Sequence, residues 1–245
     1  MVNQPVLVII SVFMALTVGT TALVARFIGA KDIDGAKDVA RQSIIVSIFF
    51  GVLLLPILYI FAPQIERAMG AEPEVLTLGV IYMRTIAIGT PFNVLAMGLG
   101  AILRGSSDMK TPLIADVIAN LFNIYGDYSL IFGKFGAPAL GVAGAGIATS
   151  IARVISSVLL LYALYRGKTL IKLSLKENYR LNFNTLKRIL NIGIPSALEQ
   201  FILRTGQLTF VRIVAGLGTI AFATHQIAMN IQSLSFMPGQ AFSIA

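Results

Sequence analysis

The chain has 245 residues, 56% hydrophobic and only 12% charged, with a mean hydropathy of +0.84 and a formal net charge of +8. Soluble domains carry about 25% charge, so this balance excludes a water-soluble globule and indicates a polytopic membrane protein. The absence of Cys removes disulfides and thiolate chemistry, and a single His, His225, removes a multi-histidine metal centre.

Apolar stretches predict an all-α transmembrane bundle of seven spans, over 4–26, 42–63, 77–103, 111–133, 139–165, 189–211 and 218–245. Nothing basic precedes Arg26, so a secretory leader is not evident. The basic residues alternate between connections. Arg26, Lys31, Lys37 and Arg41 fill the first, and Arg104 and Lys110 the third. Seven more, from Arg166 to Arg188, fill the fifth; the even connections hold only Arg67, Lys134 and Arg212. Positive-inside bias then puts the odd connections in the cytoplasm, with Met1 outside and Ala245 inside. The basic residues form no single patch interleaved with aromatics, so nucleic acid is not an expected partner.

That start, and an end in apolar FSIA, lead us to expect a piece of a longer protein. The fifth connection, 166–188, is the best candidate for a boundary between lobes. Its basic residues alternate with Leu and Ile, which suits either an ordinary linker or a segment lying on an anionic leaflet.

The fourth span carries Asp116, Asn120, Asn123 and Asp127 at i, i+4, i+7 and i+11, one face of a helix. Such a stripe does not face lipid. It either lines a water-filled path or joins helices through hydrogen bonds. In the sixth span, IPSALEQFILRTGQ places Glu199 about ten residues deep. A carboxylate near a helix centre costs about 2.5–3.5 kcal/mol on insertion scales. Arg204, five residues on, lies on another face. Glu199 is therefore either an exchanger of a proton or cation near neutral pH, or half of an ion pair with a distant arginine such as Arg84 or Arg153. His225 has the two readings of bundle hydrogen bond and proton relay.

GVAGAGIATS (141–150) has no strand before it and lacks nucleotide-loop spacing; its small residues at 141, 144, 145 and 148 suit close helix packing. Enzyme readings fail for want of residues. There is no GxSxG and no HExxH. Asp116 and Asp127 share one helix about 16 Å apart, too far for a protease dyad that shares a proton.

Several motifs together carry a resemblance. GTTALVARFIGAKD (19–32), LRGSSDMKTP (103–112), NIYGDYSLIFGKFGAPALGVAGAGIATSI (123–151), PSALEQ (195–200) and ATHQIAMNIQSLSFMPGQAFSIA (223–245) resemble the multidrug and toxic compound extrusion (MATE) family of cation-coupled antiporters. The resemblance covers essentially the whole chain and implies helices two to eight of twelve in a two-lobe (6+6) transporter. It implies that 1–165 is most of the amino-terminal lobe, 166–188 the cytoplasmic inter-lobe linker, and 189–245 the first two helices of the second lobe.

Position by position, Asn123, Asp127 and Thr149 match the amino-lobe cation site, and Glu199 matches the seventh-helix coupling carboxylate. The resemblance thus implies a Na⁺ or proton site at Asp127, Asn123 or Glu199, while the helical spacing makes Asp116 and Asn120 expected cavity-lining residues. Gly126 and Tyr128 stand where the family has Leu and Pro, and Ser107 replaces a loop glycine. The implied activity is Na⁺- or H⁺-coupled export of organic, often cationic, compounds across the inner membrane, with no further cofactor and no obligate protein partner. Two alternatives are a lipid or polysaccharide flippase, whose cavity would carry several arginines (Arg84, Arg153, Arg204), and a non-transporting scaffold in contact with membrane lipid.

Overall fold

A computed structural model describes residues 4–68, 73–166, 170–171, 181–216 and six positions between 228 and 236. Among the described residues the chain is helical throughout: α1 (Gln4–Gly29), α2 (Ile33–Ile60), α3 (Ala62–Ala68), α4 (Pro73–Gly105), α5 (Lys110–Phe132), α6 (Val142–Arg166) and α7 (Phe183–Gly216). In lipid this is the expected outcome, because a helix satisfies its backbone polar groups within one segment. Six of the seven expected spans coincide with one of these helices. Of the seventh, 218–245, only those six positions are described, and His225 lies outside the described residues.

By length and apolarity, Ile33–Ile60, Leu76–Gly105 and Val142–Arg166 suffice to cross a membrane, and α1 adds the shorter apolar stretch Leu16–Gly29. The helices α5 and α7 fall below that measure because Asp116, Asn120, Asn123 and Asp127 dilute the first, and Lys187, Arg188 and Glu199 the second.

The boundaries differ from expectation for local reasons. Helix α2 starts at residue 33 rather than 42, because the Asp32 carboxylate accepts from the Gly35 amide at 2.9 Å and caps a polar first stretch. Helix α7 starts at 183 rather than 189: Asn182 Oδ1 accepts from the amides of Asn184 and Thr185. The short α3 was not anticipated; Pro63 suits a first helical turn, and seven residues are too few to show a period.

The helices α1 and α4 end in Schellman turns. In α4 the Asp108 amide donates to Leu103 O at 2.9 Å and the Ser107 amide to Arg104 O at 3.0 Å. That geometry puts Ser107 at φ 64°, and Lys31 occupies the same place after α1 at φ 59°. The family's glycine at the Ser107 position is therefore explained by backbone conformation.

Residue contacts group the chain into two compact units, Met1–Ser196 and Ala197–Ala245. In the first, α4 is central: it packs on α6, α2 and α1, while α5 packs mainly on α6. The small residues of α6 form two stripes rather than the single set at 141, 144, 145 and 148. Gly144 and Ala148 face α5, the former against Leu130 and the latter against Gly126. Gly146 and Ser150 face α4, at Thr85 and Gly89. Spacings of four in each stripe explain the alternation of buried positions along 144–150.

The start of α7 is fastened to α2 within this first unit. Asp38 Oδ2 accepts from Thr185 Oγ1 at 2.5 Å and from Asn182 Nδ2 at 3.2 Å, and buried Gln42 Oε1 accepts from the Asn182 amide at 3.0 Å. Ile189, fully buried, then packs against Gly19 of α1.

Two outcomes follow. Replacing Ser107 by Gly should raise stability in detergent by about 1 kcal/mol, read from thermal unfolding, since a left-handed φ costs roughly 1–2 kcal/mol for a residue with a Cβ. Glu66 of α3 is 1% exposed, packed on Gly79, with Oε1 unpartnered among the described residues. Burial pushes its carboxyl above the ordinary 4.5. The unfolded chain then ionises first, so folding loses stability as pH rises from that value toward the folded one. Melting measured from pH 4 to 8 should show the wild type losing stability relative to Glu66→Gln; parallel curves would refute the burial effect.

Candidate functional site

Helix α5 presents its polar residues at two depths, and they do different things. Toward its end, Asn123 and Asp127 meet α6. Gly126 makes this possible: a Cβ there would stand 3.0 Å from that of Ala148, so the backbones approach closely and bring Thr149 alongside. Asn123 Nδ2 donates to Thr149 Oγ1 at 3.5 Å, a long contact. Asp127 is half-buried, and its Oδ1 is buried with no hydrogen-bond partner among the described residues.

An amide, a hydroxyl and a carboxylate with one open oxygen are thus gathered within about one helical turn. A buried acceptor without a donor is costly unless a proton or cation satisfies it. The donor set is all oxygen and amide, which suits a hard monovalent cation or a proton and not a soft metal. No group of three or more His, Cys, Asp or Glu side chains placed to hold a metal ion occurs among the described residues.

Toward the start of α5, Asp116 is exposed and turns to α6, where Ser156 Oγ donates to its Oδ1 at 3.1 Å. It lines a cleft of ≈ 230 Å³ together with Arg104, Arg153, Asn93, Thr17 and Ser156. Asn120, between the two groups, is exposed and lines neither. The four polar residues therefore share a helix face without forming one site.

Glu199 is exposed on α7 and belongs to the second compact unit, whereas Asp127 belongs to the first. Of the arginines considered for it, Arg84 is committed elsewhere: its Nε donates to Tyr59 O at 3.3 Å and its guanidinium sits 5.3 Å from the Tyr59 ring. The Arg204 side chain lies outside the described residues.

Reasoning from sequence missed Arg104 and Asn93, both on α4. Arg104 was counted among the loop cations. Nothing in its spacing signals that its guanidinium folds back over Gly100. It also missed Glu66, for which no sequence signal exists beyond a carboxylate beside an apolar stretch.

The bundle and its oxygen-lined polar cluster can be set beside known proteins. The family model MatE matches residues 1–129. The probable multidrug resistance protein NorM of Thermotoga maritima is 34% identical over 251 residues, covering 99% of this chain and 52% of that protein. Two solved structures of multidrug resistance MATE family transporters of the MOP superfamily superpose over 97% of this chain. The inward-facing one has a TM-score of 0.78 at 32% identity, covering 53% of that chain, and the outward-facing one 0.85 at 28%, covering 52%. The chain spans about half the length of the relatives it matches. With more than half of its 245 residues matched by the family model, and the helices packed as in the solved relatives, the chain belongs to the MatE family of membrane transporters.

Proposed function

We propose that the protein serves cation-coupled antiport, exporting organic and often cationic compounds across the inner membrane, with Na⁺ or H⁺ as the returning ion. The observation that carries this reading is the open Oδ1 of Asp127 beside Asn123 and Thr149. An acceptor left without a donor in a membrane bundle is a place where a cation or proton binds with real differential affinity. Relatives named for multidrug resistance, and solved relatives in both inward- and outward-facing conformations, support the same reading.

Ion binding at Asp127 neutralises a charge inside the first unit; ion binding at Glu199 does so in the second. A ligand shifts a conformational equilibrium only through its differential affinity for the two states. Neutralisation therefore favours one access state and releases a cationic substrate that the carboxylate had attracted. On this proposal residues 1–165 are most of the amino-terminal lobe, 166–188 the cytoplasmic linker and 189–245 the first part of the second lobe, with Met1 outside and Ala245 inside. No step of the cycle requires bond chemistry, so no enzymatic activity and no cofactor beyond the ion belong to it.

Two measurements test it in cells that express the protein. Glu199→Gln should reduce efflux of a fluorescent cationic dye to near background at unchanged membrane abundance; unchanged efflux would make Glu199 structural. Asp127→Asn should weaken the dependence of efflux on external Na⁺ or pH while leaving the thermal unfolding temperature within a few degrees. A variant that exports normally but unfolds much earlier would instead identify the polar cluster as packing.

A further inference from the structure

The cleft at the start of α5 is separate from the Asp127 cluster and is built differently. Two guanidiniums, Arg104 and Arg153, and one carboxylate, Asp116, line it, so it carries a net positive charge. Neither arginine has an ion-pair partner among the described residues. Arg104 folds back over Gly100: a Cβ at that glycine would stand 3.1 Å from its Nη1, so the guanidinium occupies the space a side chain would take. It lines the same cleft as Asp116 without forming an ion pair with it. Asp116 is itself oriented by Ser156, a side chain 1% exposed, through one carboxylate oxygen. The rest of the wall includes Met14, Met97 and Leu160.

Unpaired guanidiniums on a concave surface are a receptor for an oxyanion, which they bind through two parallel N–H donors. The second oxygen of Asp116 is an acceptor for an ammonium group. A volume of ≈ 230 Å³ suits a head group rather than a drug-sized molecule. Thioether and leucine surface beside the charges suits an attached alkyl or glycerol portion. We propose that this cleft binds a zwitterion bearing a phosphate and a primary ammonium, the phosphate on Arg104 and Arg153 and the ammonium on Asp116. An aminophospholipid head group and a soluble aminoalkyl phosphate both present this chemistry. The site goes beyond the antiport reading, since neither Asp127 nor Glu199 lines it.

The test uses the full 245-residue chain in dodecyl maltoside. Native mass spectrometry would count retained phosphatidylethanolamine, phosphatidylcholine and phosphatidylglycerol supplied in equal amounts, and calorimetry would titrate O-phosphoethanolamine. Preferential retention of phosphatidylethanolamine assigns the lipid source; calorimetric binding without lipid preference assigns the soluble one. In either case Arg153→Gln should weaken binding roughly tenfold, as expected for loss of a charge-assisted hydrogen bond. Arg153→Lys should recover part of it, and Asp116→Asn should abolish discrimination against phosphatidylglycerol or glycerol phosphate. Asp116 and Arg153 are both exposed, so these variants leave the bundle packed; circular dichroism checks this. Equal retention of all three lipids with no calorimetric binding would overturn the proposal, as would variants that bind like the wild type.

Discussion

Where Gly146 meets Thr85 and Gly89 meets Ser150, α4 and α6 lie backbone against backbone with almost nothing between them. Water-driven burial does not hold helices together in lipid; close van der Waals approach and hydrogen bonds between them do. The same helix uses Gly144 and Ala148 against α5. Helix α6 is thus clamped on two sides by small residues two apart in sequence. Its neighbours can then pack no other way without driving backbone atoms into side chains. Ser150 completes the clamp by donating to Thr85 O at 2.7 Å.

The two polar regions on α5 inherit their character from that clamp. Because Gly126 lets α5 close on Ala148 while the two helices run in opposite directions, Thr149 comes to the level of Asn123, one turn before Asp127. At the start of α5, where the helix approaches Arg104 and Arg153, the packing opens into the charged cleft. A tight end where a carboxylate oxygen lacks a donor, and a loose end where two arginines lack an ion pair among the described residues, are consequences of one helix–helix contact varying along its length.

A second constraint acts at the other end of the first unit. Asp38 and Gln42 of α2 together satisfy the first donors of the segment that opens α7, and Ile189 then seats on Gly19. The residues that lead toward Glu199 are thus tied to the first unit before the chain passes into the second at Ala197. The polar first stretch of α2, capped by Asp32, exists to present that carboxylate: without the extra turns from residue 33, Asp38 would lie in a loop.

The helical class, the membrane setting and the polar face of α5 were legible in the sequence, because apolar length and a 3.6-residue period are local properties. So were the positions of Asp127 and Glu199, since a carboxylate in an apolar run stands out whatever surrounds it. The division of the α5 stripe into a polar cluster and a separate cleft was not legible, because residues on one face share neighbours only when the facing helix matches them in register. Nor could spacing show that Arg104 turns inward, that small residues of α6 form two stripes, or that Ser107 holds a left-handed backbone. The two stripes depend on which helix lies opposite and how closely, a choice made by contacts between residues well separated in the chain, 65 apart for Ser150 and Thr85, beyond the reach of any local pattern.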